Sequence, residues 1–350
     1  MRNYDTIIVT GSAGMVGSAL KKVVYQKQSY DLLFNNKYNW VWLTRNDLDL
    51  EDYKKVYKYF EKYDCENIAV INLAANVGGL FKNMKSNVEI FESNMRINMN
   101  LLETCRKLKV SKVINILSTC IFPDLVDYPL TEDQINNGKP HNSNPGYSYS
   151  KRMGQIYSSL INSSIPSYYN YVNLIPTNLY GYCDNYKIND AHVIPAIIHK
   201  CFKIIKSKKE THCSKANKYE KLILPGDGKA QRMFLYDEDL AKVILDILCF
   251  KQVKGDYIVS GKISDSVTIR KLADIISEKV FTITGKQIEI EFEDKTTGNG
   301  QNKKPCSNRK LVNLYMEFNK NMPIEDGQLK ENIKNVISWF WNNYDEYIRK

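Results

Sequence analysis

The sequence predicts an α/β protein built on a Rossmann-type, doubly wound parallel sheet, followed by a smaller α/β substrate-binding domain. Apolar, β-branched runs recur along the first half of the chain, and the segments between them are long enough to form crossover helices. This regularity fades after Ile175, where a polar stretch leaves the predicted sheet. The predicted strands are Thr6–Thr10, Trp40–Leu43, Ile68–Leu73, Val113–Leu117 and Tyr171–Ile175.

The change in pattern divides the chain into two predicted domains. The first, which binds a nucleotide, comprises residues 1–180 together with part of 232–261. The second, which binds the substrate, comprises 181–231 and 262–350. Within it, the segment Ile333–Ile348 carries aromatic and aliphatic residues at helical spacing, which predicts a helix facing the core.

Two polar stretches interrupt the second domain. Ser207–Lys221 is dense in Lys, Glu, Thr, Ser and Asn, a composition typical of a solvated loop or insertion. Asp294–Asn308 is also polar and contains Gly298 and Gly300. Its composition leaves two interpretations open, a solvated loop or a loop whose lysines reach a phosphate.

Composition excludes several classes of protein. Hydrophobic residues make up 43% of the 350 residues and charged residues 25%, and no apolar run approaches the ~20 residues of a membrane helix. Eight cysteines are spread singly, without metal-ligand or disulfide spacing. The net charge of +10 comes from scattered lysines without a nucleic-acid recognition motif. We therefore expect no metal, nucleic-acid or membrane partner, and a cytoplasmic location, since no signal segment precedes the first strand.

A glycine-rich turn follows the first predicted strand. Gly11, Gly14 and Gly17 lie where a strand passes into a helix, so the backbone can approach a pyrophosphate at the helix N-terminus. The second strand ends near Arg45 rather than in the carboxylate that would hold a ribose 2′-hydroxyl. A guanidinium suits a 2′-phosphate, so NADP is favoured over NAD, although two carboxylates, Asp47 and Asp49, lie just beyond Arg45 and weaken this preference.

Three side chains predict a hydride-transfer site. Tyr147 and Lys151 are four residues apart, so on a helix they share a face where the ammonium can lower the pKa of the phenol. Ser118 follows an apolar run, at the carboxyl end of a strand, where such folds bind their ligands. Ser118 would bind a substrate carbonyl while Tyr147 donates a proton to its oxygen.

A thiol and an imidazole suggest a second proton-transfer reaction. Cys120 lies two residues after Ser118, so both face one pocket if the chain there is still extended. His192 lies where the second domain should meet the cleft. Such a pair, on either side of a ketone, could remove and return protons at the carbons next to the carbonyl.

With these residues the chain resembles the GDP-L-fucose synthases, a family of epimerase-reductases within the extended short-chain dehydrogenase/reductases. The resemblance spans nearly the whole chain. It rests on Gly-Ser-Ala-Gly-Met-Val-Gly-Ser (11–18), Asn-Leu-Ala-Ala-Asn-Val-Gly-Gly (72–79), Ser-Thr-Cys-Ile-Phe-Pro (118–123), Tyr147 to Lys151, Pro-Thr-Asn-Leu-Tyr-Gly (176–181), His-Val-Ile-Pro-Ala (192–196), Arg232 and Ser-Asn-Arg-Lys-Leu (307–311).

The resemblance implies a homodimer that uses NADPH to convert GDP-4-keto-6-deoxy-D-mannose into GDP-L-fucose. It makes Cys120 the base and His192 the acid in the epimerisation of C3 and C5. In the reduction of C4, it makes Tyr147 the proton donor. Lys151 would orient the tyrosine and the cofactor, and Ser118 would bind the keto oxygen.

The resemblance also implies two sets of binding residues. The cofactor set is Gly11, Ser12, Ala13, Gly14, Met15, Val16, Gly17, Arg45, Asp49, Leu50, Leu117, Lys151, Pro176, Thr177, Asn178, Leu179 and His192. Lys200, Pro225, Arg232 and Lys310 fall where the family contacts the GDP-sugar. Pro225 stands where a bacterial relative has tryptophan, and Lys200 replaces an arginine, so these two nucleotide contacts depart from the family pattern.

Two alternatives stay open. The first is another nucleotide-sugar enzyme of the same superfamily, a 4-epimerase or a 4,6-dehydratase, against which the Cys120 thiol argues. The second is a non-catalytic NADP- or RNA-binding module, supported only by the net charge. Ser118, Tyr147 and Lys151 argue against such a module, because a protein without catalysis has no chemical need for all three.

Overall fold

The structure is a computed structural model that describes residues 4–25, 38–78, 86–207, 220–293 and 302–348. Most of Ser207–Lys221 and the residues 294–301 of the second polar stretch therefore lie outside the described residues. At the described ends of Ser207–Lys221 the loop prediction is wrong. Ser207 closes a helix, and Glu220 and Lys221 open a strand that pairs with Ile288 and Glu289.

Twelve strands and nine α-helices occur within the described ranges. The strands are β1 (Thr6–Thr10), β2 (Asn39–Leu43), β3 (Ile68–Asn72), β4 (Lys112–Ile116), β5 (Asn170–Pro176), β6 (Asn178–Tyr180), β7 (Glu220–Pro225), β8 (Gln231–Arg232), β9 (Phe234–Tyr236), β10 (Gly255–Val259), β11 (Val267–Thr268) and β12 (Ile288–Glu293). The helices are α1 (Met15–Tyr25), α2 (Tyr53–Phe60), α3 (Asn87–Lys107), α4 (Pro145–Ser164), α5 (Val193–Ser207), α6 (Asp237–Cys249), α7 (Ile269–Thr284), α8 (Arg309–Glu317) and α9 (Leu329–Ile348).

The main sheet has six parallel strands in the order β10-β5-β4-β3-β1-β2. The predicted Rossmann-type fold is confirmed, and the five predicted strands match the observed ones to within one residue at each end. β10, which begins at Gly255, was not predicted. The chain reverses its direction of winding between β1 and β3, and ligands of such sheets bind beyond the carboxyl ends of the strands at this point.

Apolar side chains cover both faces of the sheet. On one face Ile7, Val9 and Ile71 pack with residues of α1 and α6. On the other, Ile8 and Val70 pack with residues of α2 and α3. Strands buried on both faces read as continuous apolar runs, which is why periodicity identified them.

A separate core lies in the second half of the chain. Val336, Ile337 and Phe340 of α9 pack there with residues of α5 and α7, so the predicted core-facing helix is confirmed. By contrast, α8 packs on the main sheet, and Tyr315 donates a hydrogen bond of 2.8 Å to Asp246. The predicted domain 262–350 therefore includes a helix that belongs to the other core. No described helix is long and apolar enough to span a bilayer.

A row of buried polar side chains crosses five strands of the main sheet. Thr10 donates to Asn72 (3.0 Å), Asn72 to Asn115 (3.3 Å), Asn115 to Asn173 (3.1 Å) and Asn173 to Asp256 (2.7 Å). Because every member has a partner, the row adds hydrogen bonds at little desolvation cost. It also fixes the register of the strands just below the edge that carries the site.

Candidate active site

The glycine-rich turn is held tightly against the sheet. A Cβ on Gly11, whose φ is +67°, would lie 2.7 Å from the backbone nitrogen of Ala74, and a Cβ on Gly17 would lie 2.5 Å from the carbonyl oxygen of Ser12. Only glycine allows these approaches. The Ser12 hydroxyl is buried without a partner in the described part of the chain. Together with the free N–H groups at the start of α1, it suits the oxygen atoms of a pyrophosphate.

A cavity of about 240 Å³ adjoins this turn. The residues that line it lie at the carboxyl ends of β1, β2 and β3, and several of them are predicted cofactor residues. Ala13, Gly14, Met15 and Val16 lie at the N-terminus of α1, with exposed or half-buried positions. The predicted cofactor residues that line the cavity are Gly11, Arg45, Asp49 and Leu50.

Arg45 is 77% exposed and lies 3.2 Å from Glu51. Glu51 also accepts from Arg96 of α3 at 3.0 Å and from Ser93 at 2.8 Å. Arg96 is a second cation beside the cavity that the sequence did not single out, since it lies on a different element. An exposed ion pair of this kind is worth at most ~1 kcal/mol, so Arg45 is free to turn toward a phosphate.

Further predicted cofactor residues lie at the carboxyl ends of β4 and β5. Leu117 donates its N–H to Leu174 at 2.8 Å, and Thr177 donates to Val259 at 3.1 Å, which joins this segment to both neighbouring strands. Asn178 donates to Met233 through its backbone and its side chain. Among the described residues the buried Thr177 hydroxyl has no partner, so it is a candidate to bind a ligand group.

Tyr147 and Lys151 share a face of α4, with the Lys151 ammonium 5.9 Å from the centre of the tyrosine ring. Lys151 is buried and donates to the Ile116 carbonyl at 2.8 Å. Burial lowers the pKa of Lys151 to about 8, against the effect of Cys120. Burial, assisted by Cys120, raises the pKa of Tyr147. The predicted lowering of the phenol pKa is therefore wrong, because desolvation outweighs the lysine charge.

Ser118 and Cys120 lie next to each other, but the backbone between them differs from the prediction. The chain is not extended there, because it turns into a short 3₁₀ helix over Thr119–Ile121. Ser118 caps this helix and accepts a hydrogen bond from the Cys120 N–H at 3.3 Å. The turn lets both side chains stay near the end of β4, and the thiol acts electrostatically on Tyr147 and Lys151.

Two further cations lie near the Cys120 thiol. Arg152 of α4 is buried and donates to the carbonyls of Ile121 and Gly138, and its charge acts on Cys120. Lys304 is half-buried and interacts electrostatically with the same thiol. Lys304 lies far from Cys120 in the sequence, so no local pattern connects the two residues. The sequence indicated Lys304 only as one of the lysines of 294–308 that could reach a phosphate.

His192 immediately precedes α5, and its carbonyl accepts from Ala196 at 3.0 Å. Its Nδ1 atom lies 3.9 Å from Asp184. Desolvation lowers the pKa of His192, but the hydrogen bond and charge of Asp184, with the charge of Asp190, raise it overall. The described contacts of His192 are with Asp184 rather than Cys120, so its position opposite the thiol stays a prediction.

The predicted substrate residues are spread over the second half of the chain. Arg232 lies in β8, where burial lowers its pKa against the effect of Tyr128. Lys310 lies over the ring of Tyr257, 4.8 Å from its centre, on the edge strand of the main sheet. Pro225 ends β7 at an exposed position, and Lys200 is half-buried on α5. Of these four residues, Arg232 interacts with Tyr128, which packs against the same apolar cluster as Cys120.

Comparison with known proteins identifies relatives over nearly the whole chain. The NAD dependent epimerase/dehydratase family matches residues 7–260. The GDP-L-fucose synthase of Dictyostelium discoideum is 37% identical over 97% of this chain and 96% of its own. A probable GDP-L-fucose synthase of Drosophila melanogaster is 32% identical over 97% of this chain and 98% of its own.

Solved structures agree with these relatives. The crystal structure of a GDP-L-fucose synthetase from Naegleria fowleri bound to NADP is 33% identical to the chain. It superposes with a TM-score of 0.80, covering 99% of this chain and 95% of that one. The same fold therefore extends over both halves of the chain.

Proposed function

Since the chain belongs to the NAD dependent epimerase/dehydratase family, and within it to the GDP-L-fucose synthases, we propose that it is an NADP-dependent epimerase-reductase. Its substrate is GDP-4-keto-6-deoxy-D-mannose and its product is GDP-L-fucose. The glycine turn and the adjoining cavity fit NADP, because the buried Ser12 hydroxyl has no partner among the described residues and lies beside the N-terminus of α1, where a pyrophosphate can bind.

One observation carries this proposal: Cys120 lies in the turn that follows β4, and Lys151 of α4 donates to Ile116 at the end of that strand, so the thiol lies near the tyrosine and lysine pair. A reductase needs the tyrosine and the lysine, but it has no use for a thiol beside them. An epimerase needs a base such as a thiolate next to the carbon that loses its proton. A site that combines all three supports two reactions on one bound sugar.

In the epimerisation, Cys120 removes a proton from C3 and later from C5, and between the two steps the thiol releases a proton to solvent and His192 takes one up. His192 returns a proton to the opposite face of each carbon, and the contact with Asp184 keeps a proton on the imidazole. Ser118 donates to the C4 oxygen, which carries the negative charge of the enolate. Arg232 binds the diphosphate of the nucleotide.

In the reduction, Tyr147 protonates the C4 oxygen. Burial keeps the phenol in its neutral form, so it has a proton to donate. Bound NADPH supplies the hydride to C4. Lys151, held by the Ile116 carbonyl, orients the tyrosine and the cofactor ribose.

The decisive experiment adds NADPH and GDP-4-keto-6-deoxy-D-mannose to the purified protein. We expect NADPH absorbance to fall and NMR to identify GDP-L-fucose as the product. NADPH oxidation with a product not inverted at C3 and C5 would indicate a simple 4-reductase. A folded protein that binds NADPH and oxidises none of it would contradict the proposal.

Two further properties belong to the same proposal. The enzyme is a homodimer, as the family resemblance implies, and it works in the cytoplasm. Sedimentation analysis of the purified chain and fluorescence localisation of a tagged chain test these two statements.

A further inference from the structure

The segment 302–307, here called the Lys304 segment, is fastened to both halves of the cleft. Leu130 donates its N–H to Pro305 at 2.8 Å and accepts from Ser307 at 2.9 Å. On the other side, Gln231 donates its N–H to Asn302 at 2.7 Å. These backbone bonds fix the segment where the loop after β4 meets β8.

Side chains of the Lys304 segment pack toward Cys120. Cys306 is 1% exposed and lies in a cluster with Ile121 and Met233, and Cys120 packs against the same cluster. The Cys306 N–H also contacts the Met233 sulfur at 3.2 Å. The packing therefore brings the segment next to the thiol, independently of any charge.

The charged groups around Lys304 belong to the active site. Its electrostatic partners are Cys120, Cys306, Arg232 and Asp124. Lys304 therefore interacts electrostatically with both the base assigned to the sugar and the arginine assigned to the diphosphate. Burial lowers its pKa, with Arg232 acting in the same direction and the two thiols and Asp124 against it.

We propose that Lys304 is a further catalytic residue of the epimerisation, which supplies the positive charge that the Cys120 thiolate and the enolate require. This inference rests on the proposed function and deepens it. In each step the C–H bond breaks and the proton moves to the Cys120 sulfur. Its electron pair becomes the C=C bond of an enolate, whose negative charge lies on the C4 oxygen. His192 then gives a proton to the opposite face.

Other charges face the same thiol, and the test has to separate them from Lys304. Lys151 is engaged by the Ile116 carbonyl, and Arg152 is engaged by the carbonyls of Ile121 and Gly138. No described hydrogen bond engages the Lys304 ammonium. The groups that face Cys120 are Tyr147, Lys151 and Arg152 of α4 and Lys304 of its segment.

The test measures the two half-reactions separately in Lys304→Met. Exchange at C3 and C5 is followed by NMR in D₂O without NADPH, and reduction is followed with the ketone already inverted at both carbons. We expect exchange at pH 7 to fall ~10-fold, because the thiolate and the enolate lose one nearby positive charge. Reduction should change much less, and Lys304→Arg should restore most of the exchange.

Lys303→Met is the matched control, because Lys303 is the exposed neighbour, with its ammonium 5.9 Å from the Tyr128 ring. It should leave both rates near those of the unmodified protein. If Lys304→Met does not fold, Lys304→Gln replaces it in the same comparison. An unchanged exchange rate at saturating GDP-sugar, with only a higher KM for that substrate, would make Lys304 a diphosphate contact and overturn the proposal. Absence of exchange in the unmodified protein would contradict the proposed function itself.

Discussion

The Nδ1 atom of His192 lies 3.9 Å from a carboxylate oxygen of Asp184, and the Asp184 side chain is only 5% exposed. The second Asp184 oxygen is buried and has no hydrogen-bond partner among the described residues. A carboxylate in this position favours the imidazolium, so the histidine proposed as the acid keeps its proton at higher pH.

Asp184→Asn should therefore lower the pKa of His192. The chain has four histidines, so an NMR titration can follow each imidazole, with His192→Gln assigning the signal. The rate at which the substrate protons exchange should begin to fall at a lower pH than in the unmodified protein, because the imidazole loses its proton there. Asp190→Asn is the control, since Asp190 has a weaker effect on the same imidazole. Equal changes in the pKa of His192 in the two variants would mean that proximity to Asp184 has no special role.

The interaction of His192 with Asp184 also makes the stability of the protein depend on pH. Because the folded pKa of His192 lies above 6.5, the contribution is fully present below that pH. It is lost as the pH rises through the folded pKa. Asp184→Asn should remove this slope from the free energy of unfolding.

Cys120→Ser should separate the two reactions. A serine hydroxyl is a far weaker base than a thiolate, so incorporation of solvent deuterium at C3 and C5 should fall by at least ~100-fold. Reduction of a ketone already inverted at both carbons should change little, since Tyr147 and Lys151 remain. NMR in D₂O measures the first reaction and NADPH absorbance the second. Equal losses in both would refute separate roles for the thiol and the tyrosine.

The sequence predicted the main sheet well because its strands are buried on both faces and read as apolar runs. It did not predict β10, whose first residues, Gly255 and Asp256, do not resemble a buried strand. Asp256 is half-buried and accepts a hydrogen bond from Asn173, a partner 83 residues away. Such a tertiary partner leaves no local signal in the sequence.

The candidate site shows the same limit. Gly11, Tyr147 and Lys151 lie in local patterns, and their placement on a turn and on one helix face follows from spacing alone. The pKa of Tyr147 depends instead on burial in the folded cleft, which spacing cannot report. Lys304 reaches the thiol only through the bonds that fasten its segment to distant elements.

Arg45→Ala should raise the KM for NADPH while leaving the KM for NADH nearly unchanged, because only NADPH carries the 2′-phosphate. A charge-assisted bond to phosphate is worth roughly 1.5–3 kcal/mol, so the preference should fall by about 10-fold or more. Steady-state kinetics with both cofactors measure it. Arg96→Ala tests the second cation beside Glu51. If Arg96→Ala alters the preference and Arg45→Ala does not, the phosphate site belongs to α3.

Lys112 begins β4 with 1% of its surface exposed, and it reaches the carbonyls of Phe250 and Val253 only at 3.4 and 3.5 Å. Burial lowers its pKa to about 7. Between that pH and the usual lysine value of 10.5 the unfolded chain binds more protons than the folded one. Stability should therefore rise with pH over this window.

Lys112→Met should remove this dependence and stabilise the protein at pH 7 by ~2 kcal/mol, because a methionine fits an apolar site without the cost of a buried charge. The gain should shrink as the pH approaches 9. Urea unfolding at several pH values measures it. Lys254→Met is the matched control, since Lys254 is exposed but also donates to a carbonyl, that of Pro166. A variant less stable than the unmodified protein at pH 7 would show that the two long hydrogen bonds outweigh desolvation.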